Sequence, residues 1–496
     1  MTASHQTAPD SSTGPAREDD VLVRARREKL ERWRTELGLD PYGRRVDGLV
    51  DLRTARERFD AAAHEAHEAS VAAAADQPDA SVIDDRPRAR VQGRIVQHRA
   101  MGRQVFMALR DRSGDLQISV SRQDLDAAAF TLAKKLDYGD IVVAGGPVGM
   151  TKKGEICIWA DELEIHCKSL TPPPEKYHGL ADAELRYRRR YVDMYANPST
   201  MRTMLLRARI ISRLRRFFED RGFVEIETPM MQAQAGGAAA RPFVTHHNAL
   251  DIDLYLRIAP ELYHKRLLVG GMRALFEIGR NFRNEGVDRT HNPEFTALEA
   301  YEAFGDSETR PDPTDHSLRA LAADVRDARA AWPVTDEDPG PDPEGRLPFG
   351  EHRIDWQAPF ERIAYGDLFE RTLGFPMTDV ERVRAAAREH QLKDPDSRDP
   401  WLLVNELFED RCEPELDPAR PTFVTDYPAA ISPLTRPHPD RPELAGRWDL
   451  FVGGLEIGTA YTELNDPDVQ ERKFTEQLAG QDEEESTFRS LDLDFL

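Results

Sequence analysis

Between Phe276 and Phe304 the chain reads FEIGRNFRNEGVDRTHNPEFTALEAYEAF, and no other stretch limits the fold as tightly. Phe276, Ile278 and Phe282 alternate with other residues before a polar segment, and Phe295, Ala297 and Tyr301 alternate after it. Period-two alternation on both sides of a turn predicts two antiparallel strands joined by a long loop. Pro293 should stand near the point where pairing resumes, because proline has no N–H to give the ladder. On the second strand Phe295, Ala297, Glu299 and Tyr301 then share one face, so an aromatic ring, a carboxylate and a phenol line one surface. Arg283 and Glu285 stand just beyond the first strand. A guanidinium there suits a phosphate or carboxylate, since its planar fork donates two parallel hydrogen bonds.

The run resembles motif 2 of class II aminoacyl-tRNA synthetases, and among these the lysyl-tRNA synthetases. The resemblance extends from about Val21 to the last residue. FVEIETPMMQ is similar to motif 1, and GGAAARPFVTHHNAL and YLRIAPELYHKRL to signatures of the lysyl enzymes. By this resemblance Pro229 lies at a homodimer interface, and Gly237 and Glu261 line the amino-acid site, Glu261 taking the α-ammonium. Arg283, Glu285 and His291 become the catalytic set: Arg283 holds the substrate carboxylate and the α-phosphate, while Glu285 and His291 contact ATP. Phe295 stacks on adenine.

Glu299, Tyr301 and Glu463 are the matched residues for the side chain of lysine, with Tyr461 as an aromatic wall. That choice has a physical basis, because an ammonium taken out of water needs anionic, hydrogen-bonding partners. Two carboxylates also reject aspartate and serve asparagine badly, which separates this reading from the aspartyl and asparaginyl relatives. Asp449 and Glu456 fall where the family holds magnesium on the ATP phosphates, a cation that prefers hard oxygen ligands and keeps several waters. Asp449 replaces a usual glutamate. Thr459, beside the ATP and metal groups, replaces a usual asparagine, Ala460 a glycine and Leu455 an arginine. A hydroxyl cannot offer an amide's donor and acceptor together.

An α+β protein is expected: the alternating strands predict an N-terminal OB-fold β-barrel, and the resemblance implies that a class II catalytic domain, built on an antiparallel sheet with flanking helices, follows it. Residues 1–20 read as a disordered tail and 21–87 as a helix (Leu22–Leu37) and a polar linker or helix (Ala61–Asp85). Residues 88–168 carry short alternating strands around a helical segment at Leu125–Lys135, the pattern of a five-stranded barrel that presents a strand face to single-stranded nucleic acid; by the resemblance this barrel binds the anticodon. Phe106 and Gln117, on adjacent predicted strands, are candidates to face a base. Leu170-Thr171-Pro172-Pro173-Pro174 opens a hinge over 169–195, and 196–496 form the catalytic domain. There Thr200–Arg221 should be a helix, FVEIETPMM a strand, and the acidic, proline-rich stretch near 306–350 an exposed insertion.

The 496 residues carry a formal net charge of -22, which argues against general nucleic-acid binding. RNA contact would then fall to local basic clusters such as Arg186, Arg188, Arg189 and Arg190. No apolar run approaches the ~20 residues that cross a bilayer, and the start has neither an apolar nor a basic leader, so a cytoplasmic protein is expected. Cys157, Cys167 and Cys412 have no zinc spacing and should be reduced, buried thiols. His246-His247 reads as a strand-turn element rather than a metal site.

The resemblance implies a lysine–tRNA ligase that converts lysine and ATP to lysyl-adenylate and passes the lysyl group to tRNA(Lys), with magnesium as cofactor. The sequence ends at SLDLDFL, ahead of the family's motif 3 and its arginine for the γ-phosphate, so the expectation is impaired turnover. The alternative is a non-catalytic relative that binds tRNA or a synthetase partner.

Overall fold

The computed structural model describes residues 21–76, 82–174, 180–238, 240–288, 291–306, 311–330, 332, 339–432, 435–479 and 492–496. The tail expected over 1–20 lies outside the described residues. The chain divides into two compact units, Met1–Leu205 and Leu206–Leu496.

In the first unit α1 (Val21–Leu37) buries Val23, Leu30 and Trp33 along one stripe. Asp51 caps α2 (Leu52–Glu57) by accepting from the Thr54 N–H, and α3 (Ala61–Asp76) follows. The alternating region gives β1 (Arg88–Met101), β2 (Gln104–Asp111) and β3 (Gly114–Ser121), then α4 (Ala127–Lys135), β4 (Ile141–Met150), β5 (Ile156–Ala160) and β6 (Glu162–Cys167). Pairings run β1–β2–β3–β5–β4 and return to β1, closing a ring of five strands, with β6 added alongside β4. Val91, Ile95, Val105, Met107, Leu109, Leu116, Ile118 and Ile158 fill its interior. Phe106 pairs with Ser119 and Ala108 with Gln117, so Phe106 and Gln117 share the opposite face. Phe106 is half-buried there and Gln117 is buried.

Two short helices, α5 (Ala183–Arg188) and α6 (Arg190–Ala196), occupy part of the stretch read as a hinge. They also give the arginine cluster acidic partners within the chain. The buried Asp193 carboxylate accepts from Arg186 Nε at 2.9 Å and Arg190 Nη1 at 2.8 Å, while Arg188 pairs with Glu184. These three guanidinium groups each pair with an acid of the chain itself.

The second unit begins within α7 (Pro198–Glu219), where Phe218 stacks on Phe276 at 5.0 Å. FVEIETPMM forms no continuous strand. It splits into β7 (Val224–Glu225) and β8 (Met231–Gln232) because Pro229 interrupts the ladder and the Thr228 hydroxyl is drawn to Glu277. β9 (Val244–His247) and β10 (Ile252–Leu256) form a sheet with β8, and α8 (Glu261–Val269) follows. The hairpin appears as β11 (Ala274–Phe282) and β12 (Glu294–Glu302), fully antiparallel, with β7 parallel on the other edge of β11.

The acidic stretch near 306–350 is not merely an exposed insertion. It contains α9 (Pro311–Ala330), which buries Ala322 and packs Leu318 against a core cluster that includes Phe360, Phe423 and Trp448. Leu318, Leu321, Ala322 and Val325 recur at helical spacing inside the acidic composition. The hairpin β13 (Leu347–Phe349) and β14 (His352–Ile354) leads to a second sheet, β15 (Glu361–Ala364), β16 (Thr422–Pro428), β17 (Leu444–Val452) and β18 (Leu455–Tyr461). Helices α10 (Tyr365–Leu373), α11 (Val380–Glu389) and α12 (Pro400–Leu407) cover it through a core that includes Tyr365, Phe369, Phe408 and Tyr427. α13 (Pro467–Ala479) is the last helix among the described residues. None of their helices is long and apolar enough to cross a membrane.

Candidate functional site

The hairpin's register decides what faces what. Glu277 stands opposite Glu299, Leu275 opposite Tyr301, Gly279 opposite Ala297 and Asn281 opposite Phe295. Opposed residues of an antiparallel pair share a face, so Phe276 and Ile278 lie on the other side from Phe295 and Tyr301. Two carboxylates set directly opposite each other repel. The fold resolves the conflict by giving Glu277 its own cation, Arg257, and leaving Glu299 to the cleft.

Glu277 is buried and accepts from Arg257 Nη1 at 2.7 Å, from the Thr228 hydroxyl at 2.7 Å and from His264 Nε2 at 2.9 Å. Burial raises its pKa, but the bonds from His264, Thr228 and Arg257 outweigh it and bring the carboxyl down to about 2. Arg257 is completely buried, and its Nε donates to the Arg280 carbonyl at 2.8 Å. This platform fixes α8 to β11, and with them the acids of the cleft.

Gly237, Glu261, Glu299, Tyr301 and Glu463 do come together. Gly237 has φ +85, and a Cβ there would lie 3.0 Å from Glu261 Cβ, so glycine answers both the backbone and the space. The Tyr301 hydroxyl donates to Glu299 at 3.2 Å, and His264 meets the Tyr301 ring edge-on at 5.1 Å. Burial and the nearby Glu261 hold Glu299 above the usual carboxylate range, although His264 pulls the other way. Burial also pushes Glu463 up to about 7, against the pull of Lys265. Burial and the surrounding acids hold Tyr301 well above the phenol range. The cleft is therefore strongly predisposed toward cations.

Lys265 was not singled out from the sequence. Its ammonium lies 2.6 Å from Glu261 and 2.7 Å from Glu463. The i,i+4 spacing of Glu261 and Lys265 on α8 was a legible signal; the reach to Glu463 was not.

Next along the hairpin, the Arg283 guanidinium sits 5.2 Å from the Phe295 ring centre. Arg283 Nε is buried without a hydrogen-bond partner, so the group retains donor capacity. Glu285 and His291 lie on the exposed loop beyond it, where His291 Nδ1 is 2.8 Å from Asp288.

β17 and β18 carry the remaining residues. Asp449 is opposite Thr459 and Arg447 opposite Tyr461, all on one face. A register shift between Leu450 and Phe451 lets Glu456 share that face with Thr459, which strict alternation would forbid. Asp449 is buried; Arg447 bonds both its oxygens, at 3.1 and 2.6 Å, and the Thr459 hydroxyl donates to Oδ1 at 2.5 Å. Arg447 also lies over Tyr427 at 4.2 Å. Glu456 is exposed on its strand, yet partial desolvation by the surrounding protein and the nearby Asp449 raise its pKa. Burial raises Glu413 to about 7, helped by Glu409, Glu456 and Asp449. Arg447 and Glu413 were not picked out from the sequence, yet Arg447-Trp448-Asp449 is the two-residue spacing that sets charges side by side on a strand. Among the described residues no group of three or more His, Cys, Asp or Glu is arranged to hold a metal. His246 instead bonds Asp253 at 2.9 Å.

Pro229 lies in an exposed segment beside Met230 and Met231, which are 44% and 57% exposed. The three cysteines are free; Cys157 and Cys412 are buried, whereas Cys167 is only partly so, against expectation.

The family model for class II tRNA synthetases (D, K and N) matches residues 182–494, which include every side chain of the cleft. The chain belongs to this family. A second family model, for the OB-fold nucleic acid binding domain of anticodon recognition, matches residues 89–173, the region of the closed ring. Curated relatives named lysine–tRNA ligase are similar over most of the chain. That of Carboxydothermus hydrogenoformans is 39% identical over 478 residues, covering 96% of this chain and 90% of the relative. That of Enterococcus faecalis is 38% identical over 481 residues, 96% and 89%. That of Actinobacillus succinogenes is 42% identical over 427 residues, 84% and 81%.

Proposed function

We propose that the chain is a lysine–tRNA ligase, which forms lysyl-adenylate from lysine and ATP and transfers the lysyl group to tRNA(Lys). The observation that carries this reading is the convergence of Glu261, Glu299 and Glu463 with the Tyr301 hydroxyl in one cleft. Aspartate would meet carboxylates there, and asparagine would leave them unpaired. Among the D, K and N substrates only lysine brings a cationic side chain.

In the first step a carboxylate oxygen of lysine attacks the α-phosphorus of ATP and pyrophosphate leaves. Glu261 holds the α-ammonium, while Glu299, Tyr301 and Glu463 hold the ε-ammonium, with Tyr461 beside the side chain. Arg283 bridges the substrate carboxylate and the α-phosphate, neutralising charge where it develops. Phe295 stacks on adenine, and Glu285 and His291 close on ATP from the loop. In the second step a terminal ribose hydroxyl of the tRNA attacks the activated carbonyl and AMP leaves. Phe106 and Gln117 serve the anticodon, and the exposed apolar residues around Pro229 suit a homodimer contact. The setting is the cytoplasm.

Magnesium fits the donor set in part, since Glu456 and Asp449 present hard oxygens but Arg447 already bonds both oxygens of Asp449. Glu456 would be the main protein ligand, with Asp449 supporting it and Thr459 fixing the orientation of Asp449. When bound, the ion offsets charge on the ATP phosphates.

The test is ATP–pyrophosphate exchange, together with calorimetric binding, using lysine, aspartate and asparagine in turn. Binding and exchange with lysine alone support the reading. Preference for aspartate or asparagine, or no lysine binding at all, overturns it.

A further inference from the structure

Three carboxylates face the cleft, yet lysine brings only two ammonium groups. Glu261 comes from α8, Glu299 from β12 and Glu463 from the segment that continues β18. The fourth charge is Lys265, whose Nζ lies 2.6 Å from Glu261 Oε1 and 2.7 Å from Glu463 Oε2. The side chains of Lys265, Glu261 and Glu463 are 12%, 13% and 30% exposed, so this is a largely desolvated bridge. It joins residues 198 positions apart in the sequence, one on a helix and one beyond a strand.

We propose that Lys265 is a resident counter-cation that stays in place when substrate binds and sets the charge of the cleft to match the two ammonium groups of lysine. The proposal rests on the lysine reading above. With all three acids ionised, Lys265 leaves a net charge of minus two, which the α- and ε-ammonium groups neutralise, while the substrate carboxylate is left to Arg283. Without Lys265 one buried carboxylate would lack a counter-ion and would take a proton instead. The same bridge fixes the position of the Glu463 carboxylate, whose remaining oxygen stays available to the substrate. Lys265 is thus a positioning and specificity residue that acts through Glu261 and Glu463.

The groups that bear on Glu463 are Lys265 and Glu261 on α8 and Glu299 on β12; Tyr301 and His264 complete the polar lining. Burial already raises Glu463 to about 7 with Lys265 present. Removing the cation must raise it further, because Lys265 acts to lower it. At neutral pH the Glu463 carboxyl of such a variant is protonated and a poor partner for an ammonium; raising the pH restores it.

The experiment is calorimetric binding of lysine, and separately of ATP, to the full chain from pH 6 to 9, for the parent, Lys265→Met and Lys265→Arg. Methionine keeps the length and packing of the side chain; arginine keeps the charge. The expected result for Lys265→Met is lysine binding weakened about tenfold or more at pH 7, recovering as the pH rises, with ATP binding within about twofold. Lys265→Arg should retain most of the affinity and the parent's pH profile. Unchanged or tighter lysine binding by Lys265→Met would overturn the proposal, tighter binding meaning that Lys265 competes with substrate. A loss that is equal for lysine and ATP and independent of pH would also overturn it, reducing Lys265 to a packing role. Failure of the parent to bind lysine would instead defeat the lysine reading itself, so the two failures are distinguishable.

Discussion

The Arg257 guanidinium occupies the space above Gly279 that any side chain would need: a Cβ on Gly279 would lie 2.1 Å from Arg257 Nη2. Arg257 can cross β11 to reach Glu277 only because position 279 carries no side chain. A methyl group there must displace a buried cation from its carboxylate. Gly279→Ala should therefore destabilise the protein by at least about 1–3 kcal/mol, measured as a lower denaturation midpoint. An unchanged midpoint would mean that Arg257 can move aside without cost.

Glu277 should give the protein an acid-sensitive joint. Its folded pKa, about 2, lies below its ordinary value of 4.5. The linked stability is fully present above pH 4.5 and is lost as the pH falls toward 2. Glu277→Gln should be less stable near neutral pH by roughly 3–5 kcal/mol, because Arg257 is left buried without a counter-charge. Its stability should also fall less steeply over that acid window. Parallel slopes for variant and parent in denaturant titrations would remove Glu277 from this role.

Asp449 and Glu456 should separate by function. Since Arg447 and Thr459 already engage Asp449, Asp449→Asn should chiefly lower stability, by about 1–3 kcal/mol. Glu456→Gln should leave stability within about 0.5 kcal/mol and raise the magnesium concentration needed for half-maximal ATP binding. If Asp449→Asn alone moves the magnesium requirement, the ranking of the two carboxylates is reversed.

Phe106 offers a clean test of the ring as an RNA surface, because it lies outside the packed interior that Val105 and Met107 help to fill. Phe106→Ala should weaken binding of an anticodon stem-loop by about 1–3 kcal/mol, with the protein still folded and its melting temperature lowered only modestly, since the ring is half-buried. Equal affinity in a filter-binding or fluorescence titration would take this face out of tRNA recognition.

The sequence alone determined the strands of the hairpin, the alternation of the N-terminal strands and the residue types of the cleft. Those signals are local: a period of two, a proline that cannot pair, a glutamate and a tyrosine two residues apart. It did not determine which acids were spoken for. Glu277 and Glu299 look alike in the sequence, as do Asp449 and Glu456. The register that opposes Glu277 to Glu299 and the shift that turns Glu456 onto the face of Thr459 belong to the assembled sheets. Likewise Arg257, Lys265 and Arg447 read as ordinary charges until tertiary packing set each against a carboxylate. Hydrophobic periodicity is written along the chain, but electrostatic pairing acts through space at a few ångströms, so only the folded structure could separate the acids that hold the site together from those left to face a substrate.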